Sequence, residues 1–281
     1  MHRAMEVRDP LCVGIDPHAS LLAEWGLSDD LTGLERFTRT VVEALADRVA
    51  ALKPQVAFFE RFGSRGLAVL ERAVADARAA GALVITDAKR GDIGSTMAAY
   101  AESFLTPDAP LSSDALTVSP YLGFGSLAPA VELAREHGRG LFVLALTSNP
   151  EGAEVQRAVA ADGRTVAETV LDHLATRNAG AEPLGSLGAV VGATLPPLGE
   201  TAAAVSERAL TAVNGPLLAP GLGAQGARAA DLPRVFGAAL RQVVPTVGRG
   251  VLGAGPDIAA LRAAADRWTG EVRAGLDGAT P

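Results

Sequence analysis

The sequence predicts an α/β chain closed into an eight-stranded (β/α)8 barrel, and three observations carry the prediction. Eight short apolar, β-branched runs recur along the 281 residues. Each is followed by turn residues and then by an Ala-rich stretch of helical character. The runs are apolar almost throughout rather than alternating, as expected for parallel strands covered by helices. Eight such units favour a closed barrel over an open doubly wound sheet. With no linker, repeat or low-complexity tract, one TIM-barrel domain over 1–281 is expected.

The first run, LCVGID (11–16), ends on an acid, Asp16. Thr32-x-x-Glu35 then reads as a capping box opening a helix to about Val49. The second run, VAALKPQ (49–55), carries Lys53. The third, ALVITDAK (82–89), ends in Asp87 and Lys89, with Asp92 three residues further on. ALTVSP (115–120) and LFVLALT (141–147) follow. The connection from Pro150 to Gly163 is long for this architecture, which marks it as an active-site loop or an added helix. Thr165-x-x-Glu168 opens the next helix, and Asn178 and Gly180 are its stop signals. LGAVVGAT (187–194), PLLAPGLG (216–223) and VPTVGRG (244–250) complete the strands. The final AGLDGATP is expected to fray.

Composition narrows the function. A net charge of −7 argues against a general nucleic-acid or polybasic membrane surface, while a few local cations can still hold a small anion. The one cysteine, Cys12, excludes an intrachain disulfide and a Cys-rich metal site, and is expected to pack as a small core residue. The four His show no metal-ligand spacing. No signal-peptide core and no run of 18 apolar residues is present, so a cytoplasmic protein with no membrane partner is the expectation. The two Trp and three Met carry no functional signal.

In this architecture chemistry sits at the carboxyl ends of the strands. That rule converts the strand list into a site list: Asp16, Lys53, Asp87, Lys89, Asp92 and Gly248-Arg249-Gly250. Asp87 and Lys89 are two apart, so on a regular strand both face the lumen, where neither stays charged without a partner. Lys53 on the neighbouring strand completes an alternating Lys–Asp–Lys–Asp array. Unit charges about 4 Å apart interact by roughly 4 kcal/mol at an effective dielectric of about 20, enough to keep the array ionised. A structural ion network at the rim is the plain alternative. Four charges at consecutive strand ends favour a catalytic one.

Barrels often bind phosphate with the loops after strands seven and eight. Gly221, Gly223 and Gln225 lie on the first of these, Gly248, Arg249 and Gly250 on the second. Glycines admit backbone N–H groups to phosphate oxygens, and an arginine fork adds paired charged bonds. GLGAQG also fits a dinucleotide fingerprint, but it follows the seventh strand and has no acid about 20 residues beyond it.

LKPQVAFFERFG (52–63), DAKRGDIGST (87–96), LTSNP (146–150), APGLGAQG (219–226) and VGRG (247–250) occur in one order over nearly the whole chain. Together they resemble the orotidine 5′-phosphate decarboxylases, most closely the bacterial branch with the longer chain. The resemblance implies decarboxylation of orotidine 5′-monophosphate to uridine 5′-monophosphate without metal or cofactor. It assigns catalysis to Lys89, Asp87, Asp92 and Lys53. It assigns substrate binding to Asp16, Ile93, Thr96, Ser148, Gln225, Arg249, Gly248 and Gly250. It further implies a homodimer in which Asp92, Ile93 and Thr96 reach across the interface, and a lid formed by the 150–163 connection. The magnesium-dependent sugar-phosphate decarboxylases share the Asp-x-Lys-x-x-Asp strand but carry an acid where this chain has Lys53. A metal-dependent lyase on the same barrel, and a non-catalytic nucleotide-binding barrel, are the alternatives.

Overall fold

The computed structural model describes residues 1–196 and 205–277. Eight strands form a closed barrel in sequence order: β1 Cys12–Ile15, β2 Ala51–Pro54, β3 Leu83–Arg90, β4 Ala115–Val118, β5 Gly140–Leu146, β6 Leu187–Val191, β7 Leu217–Leu222 and β8 Val243–Val247. Every neighbouring pair is parallel, and β8 closes on β1 with Cys12 opposite Thr246. All eight predicted runs are therefore strands.

The period of two along each strand divides the core into two shells. Cys12, Ala51, Ile85, Ala115, Phe142, Val190, Leu218 and Val244, one from each strand, cluster in the lumen. Their strand neighbours Val13, Leu52, Val84, Leu116, Val143, Ala189, Leu217 and Val243 pack outward in the larger cluster beneath the helices. The lumen mixes large and small residues. Phe142 pairs with Gly188, where a Cβ would lie 2.9 Å from the ring. Advancing two residues toward the carboxyl rim gives the next lumen layer: Gly14, Lys53, Asp87, Thr117, Leu144, Pro220 and Thr246, all lining one cleft. The hydrophobic plug ends and the polar floor begins within a single step of the pleat.

Three ladders lose register at that rim. β3 advances four residues from Thr86 to Arg90 while β4 advances two, from Leu116 to Val118. Smaller slips fall between Leu144 and Leu146 of β5 and between Pro220 and Leu222 of β7. Extra residues in a strand bend it and re-aim its side chains, and such bulges concentrate beside active sites.

The helices cover the barrel with apolar stripes. In Leu31–Leu45 the buried positions Leu34, Phe37, Thr38, Val41, Val42 and Leu45 recur at helical spacing. That helix is capped by Asp30, whose side chain accepts from Gly33 N–H at 2.8 Å, and not by the predicted Thr32 box. Asp30 sits one residue before the first helical turn, so its carboxylate meets an orphan N–H that Thr32, already inside the helix, does not reach. The Thr165–Glu168 capping box forms as expected, and its helix ends at Asn178. The buried Asn178 amide donates to Leu187 and Val213 carbonyls at 2.7 and 2.8 Å, tying that helix to the approaches of β6 and β7.

The amino end of the barrel is covered by helix His2–Arg8, with Met1 and Met5 packed against the lumen cluster. At the other end of the chain, Ala274–Asp277 continue the helix Ile258–Asp277, where fraying had been expected; residues 278–281 lie outside the described residues. No helix among the described residues is long and apolar enough to cross a membrane.

Candidate active site

The polar floor lies in a cleft of about 750 Å³ at the carboxyl rim. At its centre is Asp87, only 6% exposed. Four donors converge on its carboxylate. Lys53 Nζ and Gln55 Nε2 meet Oδ2 at 2.6 and 3.2 Å; Lys89 Nζ and Thr117 Oγ1 meet Oδ1 at 2.7 and 2.8 Å. Burial alone would push the Asp87 carboxyl up, but Lys53 and Lys89 outweigh it and hold it well below the usual carboxylate range. Burial likewise pulls Lys53 down, and Asp87 and Asp16 more than reverse this, holding its ammonium above the ordinary lysine value. Asp87 and Lys53 stay ionised because each, removed from water, is returned an opposite charge at hydrogen-bond distance.

Asp87 and Lys89 do not share a face in the regular way expected. The bulge places Lys89 at φ +47, a left-handed conformation rare for residues with a side chain. Its side chain is 45% exposed, so the ammonium reaches back to Asp87 from the mouth of the cleft instead of standing buried beside it.

Asp16 lines the cleft, and its Oδ1 is buried without a hydrogen-bond partner among the described residues. Glycine at positions 14 and 248 makes room for it, since a Cβ there would lie 3.0 and 3.3 Å from Asp16 Oδ2. Ser148 donates to Gln225 Oε1 at 3.3 Å, joining the loops after β5 and β7. Arg249 and Gly248 line the same cleft; Gly250 does not. Nor do Asp92, Ile93 and Thr96, although all three follow β3 directly. Asp92 accepts from its neighbour's N–H at 2.7 Å, and the helix Gly94–Leu105 begins without a side-chain cap. Three of the four charges of the predicted array thus meet within one chain, and Asp92 stands apart. Cys12 lies under the floor in the lumen, where burial pushes its thiol up to about 12.

Sequence reasoning missed Thr117 and Gln55. Each had a signal: Gln55 is two residues beyond Lys53, and Thr117 two beyond the lumen residue Ala115 on the strand next to Asp87. It also passed over the tryptophans. Trp268, on the last helix, lies under both glycine loops: a Cβ at Gly223 would be 3.0 Å from its Cζ2, and one at Gly250 2.8 Å from its Nε1. Trp25 Nε1 donates to the Leu252 carbonyl at 2.9 Å and steadies the short helix Arg249–Leu252 from the other side. Gly250→Ala is expected to displace the loop after β8, because an indole ring held in a helix cannot retreat by the several tenths of an ångström required. Affinity for a small phosphate ester, measured by calorimetry, should fall by about tenfold or more, at about 1.4 kcal/mol per decade, with little change in the affinity for the same molecule without its phosphate. Equal losses for both would place the loop's role elsewhere. In the loop after β5, Pro150–Gly152 and Ala153–Gln156 form short helical turns, and Gln156 ties back to Thr147 through its N–H and hydroxyl at 2.8 and 2.7 Å.

Among the described residues no group of three or more His, Cys, Asp or Glu is arranged to hold a metal ion. A pre-organised cationic trio at the carboxyl rim of a (β/α)8 barrel, beside glycine-lined loops that carry an arginine, defines the class as a barrel enzyme whose cleft is built for a small anion. Within that class the sequence is specific. The chain belongs to the orotidine 5′-phosphate decarboxylase / HUMPS family, which it matches over residues 9–264. It is 74% identical over 273 residues to the orotidine 5′-phosphate decarboxylase of Streptomyces coelicolor, covering 97% of this chain and 95% of that one. It is 65% identical over 278 residues to that of Salinispora arenicola, covering 99% and 97%. A crystal structure from Streptomyces avermitilis superposes with a TM-score of 0.93 at 72% identity, covering 98% of this chain and 94% of that chain. The Leishmania donovani OMP decarboxylase structure gives 0.74 at 32%, covering 98% and 97%.

Proposed function

We propose that this chain removes carbon dioxide from C6 of orotidine 5′-monophosphate and releases uridine 5′-monophosphate, a step of pyrimidine nucleotide synthesis. The family and its close relatives support the reaction. The observation that carries the assignment of residues is the ionised Asp87 held between two ammonium groups, Lys53 at 2.6 Å and Lys89 at 2.7 Å.

The chemistry needs what this trio offers. As the C6–carboxylate bond breaks, its electron pair remains on C6, where the pyrimidine ring does not delocalise it. A fixed positive charge must already stand there, because reorienting dipoles during the reaction would cost the energy the enzyme has to save. Lys89 supplies that charge and then transfers a proton from Nζ to C6; solvent reprotonates the amine. Asp87 orients Lys89 and faces the departing carboxylate. Lys53, standing where the magnesium-dependent sugar-phosphate enzymes carry an acid, repels a metal ion and favours an anionic substrate.

The rest of the cleft suits the rest of the nucleotide. Asp16, which lines the cleft, accepts a ribose hydroxyl, with Lys53 beside it. Ser148 takes the base. Gln225, Arg249 and the glycines Gly248 and Gly250 take the phosphate. Asp92, Ile93 and Thr96 complete the site of a second copy in a homodimer. Two observations support this: none of the three lines its own cleft, and Ile93, Tyr121 and Leu122 are large exposed apolar residues on abutting loops, where Gly91 packs against Ser119. One barrel domain acting in the cytoplasm accommodates all of this.

Incubation with orotidine 5′-monophosphate should produce the loss of absorbance that accompanies conversion to uridine 5′-monophosphate, at the same rate with and without a chelator. An unchanged spectrum would refute the reaction, and a chelator-sensitive rate would refute its independence of metal.

A further inference from the structure

We infer that Thr117 is a positioning residue for the proton donor, its hydroxyl locking the bulged end of β3 so that Lys89 stays aimed over Asp87. The inference rests on the reading of Lys89 as the group that protonates C6. Among the described residues only Asp9, Lys89 and Asn214 are non-glycine residues with positive φ, and Lys89 alone of these lies in the cleft. A side-chain-bearing residue holds such a conformation only where its surroundings impose it.

The imposing contact is visible. Between Thr86 and Arg90 the ladder to β4 loses its register, and the Lys89 N–H lies within that irregular stretch. It donates to Thr117 Oγ1 at 3.0 Å. The same hydroxyl donates to Asp87 Oδ1 at 2.8 Å, the oxygen that also receives Lys89 Nζ at 2.7 Å. A closed ring results, from the Lys89 backbone through Thr117 and Asp87 to the Lys89 ammonium. Its directions are fixed, because a backbone N–H only donates and a carboxylate only accepts. The threonine is fully buried at 1% exposure and stiff at χ1, so the ring has little freedom to relax. Asp87 is thereby divided: Oδ2 faces Lys53 and Gln55, and Oδ1 serves the reactive side.

Thr117→Val keeps the shape and removes the hydroxyl; Thr117→Ser keeps the hydroxyl. The valine variant is expected to lose about 100-fold in kcat, the scale of an ångström-sized misplacement, with KM and uridine 5′-monophosphate affinity held within about threefold. The serine variant should recover most of kcat. A merely structural role would lower the melting temperature of the variants without this split between kcat and KM. Thr117→Ala carries the same test should the valine variant fail to fold. Retention of kcat within about threefold by the hydroxyl-less variant, or a serine variant as impaired as the valine one, overturns the inference. Lys89→Ala assayed alongside separates the two ideas. If it is inactive while the hydroxyl-less variant is active, only the role of Thr117 falls; if it is active, the reading of Lys89 falls with it.

Discussion

Lys89→Ala is expected to lower kcat by about 10,000-fold or more while leaving the protein folded. On the proposed mechanism two contributions leave with the side chain. A pre-organised charge at a developing anion is worth roughly 100- to 1,000-fold, and a positioned general acid roughly 100- to 10,000-fold. The proposed substrate offers no electron sink, so neither loss is made good elsewhere in the cleft. The fold should survive because the side chain is 45% exposed and the Asp87 carboxylate keeps Lys53, Gln55 and Thr117. Single-turnover absorbance decay, paired with a thermal melt, measures both halves of the prediction. Lys89→Arg divides the two roles: the guanidinium retains the charge but does not release a proton near neutral pH. It too should be severely impaired. Turnover of the alanine variant within tenfold of wild type would remove Lys89 from the chemistry.

Asp87→Asn should damage stability and activity together. The change leaves Lys53, 7% exposed, without its closest counter-charge. Breaking a buried ion pair by removing one partner costs about 3–5 kcal/mol, which for a chain of this size corresponds to a fall in Tm of roughly 6–20 °C. Activity should fall as well, since the amide no longer anchors two ammonium groups. The effect depends on pH with a definite sign. The folded Asp87 carboxyl is held below its ordinary value, so as pH falls the unfolded chain binds the proton first. The contribution of Asp87 is then complete above about pH 4 and erodes below it, as pH falls toward the folded value. Lys53, held above the ordinary lysine value, contributes fully below about pH 10 and loses its contribution only as pH rises through its folded value. Denaturant unfolding of wild type and Asp87→Asn should therefore differ by a constant amount from pH 5 to pH 8 and converge below about pH 4. A difference that widens on acidification would show that Asp87 is not the ionised centre of the cluster.

The barrel was legible because its signal is local and repeated. Continuous apolar strands at regular intervals admit few arrangements other than a parallel sheet enclosed by helices. Most of the cleft was legible for the same reason: strand ends are sites in this architecture, so Asp16, Lys53, Asp87, Lys89 and Arg249 were found by position. The Thr32 cap failed because two threonine- and aspartate-rich starts compete within three residues, and only the path of the chain selects Asp30. Thr117 and Trp268 were missed because a hydroxyl among apolar residues, and a tryptophan in a late helix, look the same whether or not a loop rests on them.

The amino-acid sequence by itself determined which residues face the lumen and which charges stand at its rim, since alternation along a strand is a property of the backbone. Only the tertiary structure decided how those charges are aimed. The turn of Lys89 back over Asp87 depends on a bulge against β4 and on a hydroxyl 28 residues away. Contacts of that range exist only after the strands have paired, and for that reason no local pattern announces them.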